Sequence, residues 1–99
     1  MRVAYIVIYT DALEECRVFY AGLGIRFRKE RHEDGPVHHA AVLEDGAVIE
    51  LYPAAGKPPT GRLRLGFTVR RSTTSLPLGP GRHVLRDPEG RTVELEVIE

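Results

Sequence analysis

Cysteine is almost absent from this sequence: Cys16 is the only one among 99 residues. A single thiol excludes an internal disulfide and a cysteine-rich zinc site. Cys16 also falls on the apolar stripe of a predicted helix, where a thiol is expected to be buried and inert. Nothing in the cysteine usage requires an oxidising compartment, so we expect a cytoplasmic protein.

The sequence also has no long hydrophobic run and no excess of charge of either sign. Its longest apolar segment, residues 3–9, is far shorter than the roughly 20 residues that span a bilayer. Basic and acidic residues number 14 each, and the basic ones are spread along the chain. We therefore expect neither a membrane nor nucleic acid as a partner.

The first half of the chain has the pattern β-α-β-β-β. Residues 3–9 are β-branched and aromatic on both faces, which predicts a central strand buried on both sides. Asp11 with Glu14 predicts a capping box at the start of a helix, and apolar residues then recur at helical spacing as far as Leu23. Gly22 and Gly24 are predicted to supply the positive-φ positions that end the helix. Three further strands are predicted at 25–31, 38–44 and 47–52.

The second half is shorter and contains no helical pattern. Residues 54–61 are rich in proline and glycine, which predicts a linker. Residues 62–69 alternate strictly between polar and apolar, as expected for a strand with one buried face. A hairpin then joins strands 83–86 and 92–98 through a turn at 87–90. The chain length predicts one domain, and its elements predict the α+β class.

Several segments make the chain resemble the vicinal-oxygen-chelate superfamily, which comprises glyoxalases, bleomycin-resistance proteins and extradiol dioxygenases. The similarity extends over nearly the whole chain. The matching segments are Phe19-Tyr20 with Leu23-Gly24, Val48-Ile49-Glu50-Leu51-Tyr52, Asp87-Pro88-Glu89-Gly90 and Val93-Glu94-Leu95.

The resemblance implies a half-open barrel built from two βαβββ modules. Residues 1–53 would form the first module, 54–61 the linker and 62–99 the second module. Only the stretch between residues 70 and 81 separates the strand at 62–69 from the final hairpin, so the second module is expected to lack its helix and one strand.

The resemblance also implies four inward-pointing positions where many members of the superfamily hold a divalent metal. In this sequence they are occupied by Tyr5, Glu50, Arg64 and Glu94. Only the two glutamates match a metal site, because a guanidinium has no lone pair to offer and would compete for the carboxylates. We therefore expect no cofactor, with a divalent metal at Glu50 and Glu94 as the alternative.

Three functional hypotheses follow. The first is a metal-free protein, similar to the bleomycin-resistance members, that binds or sequesters a small polar or aromatic ligand in a cleft completed by a homodimer. Its clamp would be Arg64, held between Glu50 and Glu94. The second is a metal-dependent lyase, isomerase or dioxygenase that uses Glu50 and Glu94. The third is a non-catalytic dimer that acts only through protein contacts. The predicted ligand-binding residues are Tyr5, Glu50, Tyr52, Arg64 and Glu94.

The polar residues of the second half allow a plainer interpretation. Alternation places Arg62, Arg64, Glu94 and Glu96 on one face of neighbouring strands. They could form a ladder of solvated ion pairs, each contributing a few tenths of a kcal/mol, and no ligand pocket. The sequence leaves these two interpretations open.

The shortened second module bears on oligomeric state. Without its helix, the apolar face of the strand at 62–69 would lack its usual cover. Such a face should not remain in water, so we expect a homodimer. The residues of this face are Leu63, Leu65, Phe67 and Val69.

The four histidines predict no paired site. His38 and His39 are consecutive in a strand and point to opposite faces, so at most one of them enters the cavity. His32 and His83 lie near turns or strand ends, where exposed or locally hydrogen-bonded imidazoles are expected.

Overall fold

The computed structural model describes all 99 residues, which form one helix and seven strands. In chain order the elements are β1 (Tyr5–Thr10), α1 (Leu13–Leu23), β2 (Arg28–Glu30), β3 (His38–Val42), β4 (Val48–Pro53), β5 (Arg64–Arg70), β6 (Gly81–Arg86) and β7 (Thr92–Ile98). The predicted α+β class is confirmed. The second module has three strands and no helix, as expected. No helix in the structure is long and apolar enough to cross a membrane.

The strands form two sheets, one from each half of the chain. The four-stranded sheet has the order β1-β4-β3-β2 and the three-stranded sheet has the order β5-β7-β6. In each sheet the first strand of the module pairs in parallel with the last, and the other pairs are antiparallel. The two halves therefore repeat the same pairing, which places β4 and β7 at equivalent positions.

The first strand is not central, contrary to the prediction. β1 lies at an edge of its sheet and pairs only with β4. Ile8 and Thr10 are buried, whereas Tyr5 is 66% exposed and Tyr9 is also exposed. An apolar run on both faces cannot by itself distinguish a buried strand from an edge strand that lines an open surface.

The helix begins without the predicted capping box. Its N-cap is Ala12, which forms no side-chain cap, and the Glu14 carboxylate instead accepts hydrogen bonds from Arg17. The amide of Ala12 donates to the hydroxyl of Thr10. At the other end, Gly24 caps the helix in the left-handed conformation with a φ of 119°, as predicted. Gly22 lies within the helix and has no positive φ, contrary to the prediction.

The apolar face of β5 is not left open. Leu65 is buried and belongs to one core cluster that joins residues of α1 to residues of both sheets. Leu76 and Leu78, from the loop before β6, pack against the same cluster. That loop is held to the end of the helix, since the amide of Ser75 donates to the carbonyl of Gly22. The single helix therefore serves both modules, which removes the original reason for expecting a dimer; the homodimer itself stays a prediction.

A buried ionic network joins the two modules around Arg91, which is 2% exposed. Its guanidinium donates to Asp87 at 2.9 Å and to Glu89 at 2.7 Å, and it also reaches the backbone carbonyl of Tyr9 in β1. Asp87 accepts a further hydrogen bond of 2.7 Å from the hydroxyl of Tyr20 in α1. The sequence pattern identified residues 87–90 only as a turn and did not indicate this connection.

Candidate functional site

The face of the four-stranded sheet directed away from α1, here called the open face, carries aromatic and charged side chains. The strand register aligns these residues in three rows across β1, β4, β3 and β2. The rows are Tyr5–Val48–Val42, Val7–Glu50–Ala40–Arg28 and Tyr9–Tyr52–His38–Glu30.

Two of the predicted ligand-binding residues, Tyr5 and Glu50, lie in one recess of this face. The recess has a volume of about 370 Å³, near the lower end of the range for small-molecule pockets. Its full lining is Tyr5, Arg28, Glu30, Ala40, Val42, Val48 and Glu50. One part of the wall is therefore apolar and aromatic, and the other is charged.

Tyr52, a third predicted residue, lies beside this recess and not in it. Its ring stacks on that of His38, with centroids 4.0 Å apart and planes inclined by 11°. On the other side it contacts Tyr9 in a tilted arrangement with centroids 6.0 Å apart. Burial raises the pKa of the Tyr52 hydroxyl. These contacts make Tyr52 a support for the His38 ring.

The remaining two predicted residues, Arg64 and Glu94, belong to the three-stranded sheet. Glu94 accepts a hydrogen bond from Arg82 at 2.8 Å and has Arg64 at 3.6 Å. Glu94 and Arg82 line a second recess of about 340 Å³ that Arg64 does not line. Of the ion-pair ladder predicted for this face, only the Arg64–Glu94 pair is present; Arg82 supplies the second pair, and Arg62 and Glu96 take part in none.

The prediction that Arg64 is held between Glu50 and Glu94 is wrong. The Arg64 side chain is 74% exposed and pairs with Glu94 alone. The Glu50 carboxylate instead faces His38, with its Oε2 3.6 Å from Nε2. The two glutamates belong to different sheets and line different recesses, so one side chain on β5 does not bridge them.

The residues at the four family positions do not fit a metal. The exposed guanidinium of Arg64 cannot ligate, and the carboxylate of Glu94 already faces two arginines. No cluster of three potential metal ligands includes Glu50 or Glu94. A metal centre that uses these positions is therefore not supported by the donor groups present.

A different cluster, which the sequence pattern did not reveal, lies at the corner of the open face. The ligand atoms of Glu30, His32 and His38 all lie within 4.8 Å of one another. Glu30 Oε1 is 3.4 Å from His38 Nε2 and 3.5 Å from His32 Nε2. His38 is 1% exposed, and its Nε2 has no hydrogen-bond partner.

The hairpin register explains why this cluster was missed. Glu30 and His38 are directly paired across β2 and β3, and the short β2 leaves His32 free to fold back over His38, with ring centroids 5.0 Å apart. His39 lies on the opposite face, as predicted, and its burial lowers the pKa of its imidazole. The spacing of Glu30, His32 and His38 around a turn was the available signal.

In each module the first strand pairs in parallel with the last, and the first module is a complete βαβββ unit. This is the half-barrel fold that the resemblance implied. The chain belongs to the Glyoxalase/Bleomycin resistance protein/Dioxygenase superfamily, whose sequence profile matches residues 2–72. No curated protein matches the chain.

Solved structures share this fold over almost their whole length. A glyoxalase/dioxygenase from Nostoc punctiforme has a TM-score of 0.65 and 16% identity, covering 99% of this chain and 91% of that one. The oxidase ChaP-H2 has a TM-score of 0.64 and 11% identity, with coverages of 100% and 94%. Lactoylglutathione lyase from Agrobacterium tumefaciens has a TM-score of 0.60 and 15% identity, with coverages of 97% and 92%. At these identities the similarity concerns the fold alone.

Proposed function

We propose that the protein binds a small organic molecule in the recess beside Tyr5 and Glu50, without a metal at the four family positions. The observation that carries this proposal is the composition of the recess: an exposed tyrosine ring lies on the same face as a half-buried carboxylate and a guanidinium. Pockets that bind small molecules combine apolar surface with a few polar groups that fix the orientation.

The charged wall indicates the kind of ligand. Arg28 is exposed and takes part in no ion pair, so its donors are available to a carbonyl or carboxylate group. Glu50, on β4, lies in the same row of the sheet as Arg28. Its carboxylate accepts hydrogen bonds from an amine or hydroxyl group of the ligand. Tyr5 offers an aromatic surface to a planar ring. A small aromatic compound with one acceptor and one donor group suits this arrangement.

A melting-temperature screen of aromatic acids, amino acids and hydroxylated carbonyl compounds tests the proposal. A ligand at 100 times its dissociation constant stabilises the native state by about 2.7 kcal/mol. We expect that stabilisation to be lost in Glu50→Gln and in Arg28→Met. Glu44→Gln, an exposed residue in the turn before β4, is the matched control and should respond like the wild type.

The variant Arg64→Met distinguishes this recess from the predicted clamp. Because Arg64 lies outside the recess, binding should persist in this variant. Loss of binding in Arg64→Met, with normal folding and with binding retained in Arg28→Met, would move the site to the three-stranded sheet. A screen in which no compound stabilises the protein would refute the binding function.

A further inference from the structure

His38 presents an unusual buried atom. The side chain is 1% exposed, and its Nε2 has no hydrogen-bond partner. Buried polar atoms are almost always hydrogen-bonded, and leaving one unpaired costs roughly 1–3 kcal/mol. It is the only such side-chain atom in the structure. An occupant that Nε2 can bind would remove this cost.

The protonation of the ring follows from its other nitrogen. His38 Nδ1 is 3.1 Å from the backbone carbonyl oxygen of Pro36. A carbonyl oxygen only accepts hydrogen bonds, so Nδ1 carries the proton, and in the neutral ring Nε2 bears the lone pair. Metal-bound histidines are commonly oriented in this way, by a hydrogen bond from the second ring nitrogen. The stacked ring of Tyr52 further fixes the direction of Nε2.

The spacing of the neighbouring donors matches a coordination shell. Ligand atoms about 2.1 Å from a tetrahedral ion lie about 3.4 Å from one another. Glu30 Oε1 lies 3.4 Å from His38 Nε2 and 3.5 Å from His32 Nε2. These separations are too long for good hydrogen bonds, which have lengths of about 2.7–3.2 Å. The two separations that involve Glu30 therefore have the length expected between ligands of one ion, and the two imidazole nitrogens lie within 4.8 Å of each other.

We propose that Glu30, His32 and His38 bind one divalent transition-metal ion of the zinc type. Two imidazoles with one carboxylate suit zinc, cobalt or nickel, whereas magnesium and calcium prefer oxygen ligands. Glu50 Oε2 lies 3.6 Å from His38 Nε2, so its carboxylate adds negative charge beside the ion. The three ligands occupy none of the four family positions. Glu30 also lines the proposed ligand recess, but zinc binding at this cluster does not require a ligand there.

The rival occupant of Nε2 is a proton. In an imidazolium ring Nε2 would donate to Glu30 and Glu50, and the cluster would be an ion pair without a metal. A zinc titration distinguishes the two occupants, because a metal ion at this site must displace any proton on Nε2 and bind at one equivalent per chain.

Calorimetric titration of the chelator-treated full chain with zinc sulfate at pH 7.5 tests the site, together with the visible absorption of the cobalt complex. We expect one equivalent of zinc, tetrahedral cobalt bands, and at least tenfold weaker zinc binding in His32→Ala. His32 is exposed, so this variant should retain its fold. His83→Asn, which alters a histidine of the three-stranded sheet, is the control and should bind zinc like the wild type.

Glu30→Gln provides a second variant, because it keeps the size of the side chain and removes its charge. It should also weaken zinc binding at least tenfold. Absence of saturable zinc uptake, or equal affinity in the wild type, His32→Ala and Glu30→Gln, would overturn the proposal. A nuclear magnetic resonance signal showing a proton on His38 Nε2 that persists in excess zinc would do so as well.

Discussion

The two sheets of this protein use charged residues in different ways. On the three-stranded sheet, Glu94 is flanked by Arg64 and Arg82, whose side chains are both well exposed. Such solvated pairs contribute about 0–1 kcal/mol each. On the four-stranded sheet, the carboxylates of Glu30 and Glu50 lie 3.4 and 3.6 Å from Nε2 of the buried His38, which forms no hydrogen bond. The carboxylate of Glu94 is thus satisfied by its own ion pairs, whereas Nε2 of His38 has no hydrogen-bond partner.

The difference between the sheets corresponds to the difference between the modules. The second module has lost its helix, and its hairpin instead carries the buried Arg91 network that attaches it to β1 and α1. The first module keeps its helix and holds both candidate sites on its open face. The shortened module is thus attached to the full one by a buried network, while the groups of both proposed sites lie on the full module.

The largest expected effect on stability comes from substituting one of two arginines in the second module. Arg91→Met leaves the carboxylate of Asp87 buried without its counter-ion, and breaking a buried pair typically costs about 3–5 kcal/mol. Arg64→Met removes only a solvated pair and should cost less than about 1 kcal/mol. Urea denaturation measures both free energies of unfolding. Equal losses in the two variants would show that the Arg91 network does not join the modules as described.

The pH dependence of stability tests the same network, with a smaller expected effect. Burial alone would raise the pKa of Asp87, but hydrogen bonds from Tyr20 and Arg91 outweigh it and hold that pKa below its usual value. Hydrogen bonds from Thr10 and Arg91 likewise outweigh burial and lower the pKa of Glu89. A lowered folded pKa gives stability that is present above the unfolded value, about 3.9 for Asp and 4.3 for Glu, and is lost as the pH falls.

We therefore expect the free energy of unfolding to decrease steadily as the pH falls below about 4. The free energy of unfolding of Glu89→Gln should decrease less steeply over the same range, because the substitution removes one of the two carboxyl groups in the Arg91 network whose pKa is lowered and retains an acceptor for Arg91. Denaturant titrations at pH 2.5, 3, 4 and 7 give the slopes. An identical slope in Glu89→Gln would mean that the Glu89 contacts do not lower its pKa.

Local patterns in the sequence were sufficient to predict the order of the elements and most of their positions along the chain. The turn at 87–90 and the left-handed Gly24 were predicted from residue type, and β7 was predicted with its observed bounds, Thr92–Ile98. These features depend on alternation, helical periodicity and turn chemistry, which operate over a few residues. The edge position of β1 could not be predicted in this way, because strand order depends on contacts between distant parts of the chain.

The candidate sites depended still more on distant contacts. Tyr5 and Glu50 were placed together through the family resemblance, and the register of β1 with β4 brings them to one recess. The cluster of Glu30, His32 and His38 required the register of a hairpin whose first strand has only three residues. Arg91 followed a turn motif, and no local signal indicates that its guanidinium is buried.

The smallest expected effect concerns association, and two exposed valines provide a matched test. Val42 lies on the open face of the four-stranded sheet and is 73% exposed, while Val84 lies on the corresponding face of the three-stranded sheet and is 66% exposed. We propose that a second copy of the chain packs on the open face at Val42 and completes the wall of the recess, because Val42 and Tyr5 both line that recess and exposed apolar surface favours association.

Sedimentation velocity at 5 to 50 μM, a range of about tenfold chosen to detect weak self-association, distinguishes the two faces. We expect a homodimer in the wild type, a shift toward monomer in Val42→Asp and no shift in Val84→Asp. Neither substitution should change the melting temperature of the monomer appreciably, because exposed side chains away from the core contribute within about 0.5 kcal/mol. A wild type that is monomeric throughout this range would refute the dimer. A larger effect of Val84→Asp would place the contact on the three-stranded sheet, and the recess beside Tyr5 would then stay open to solvent in the dimer.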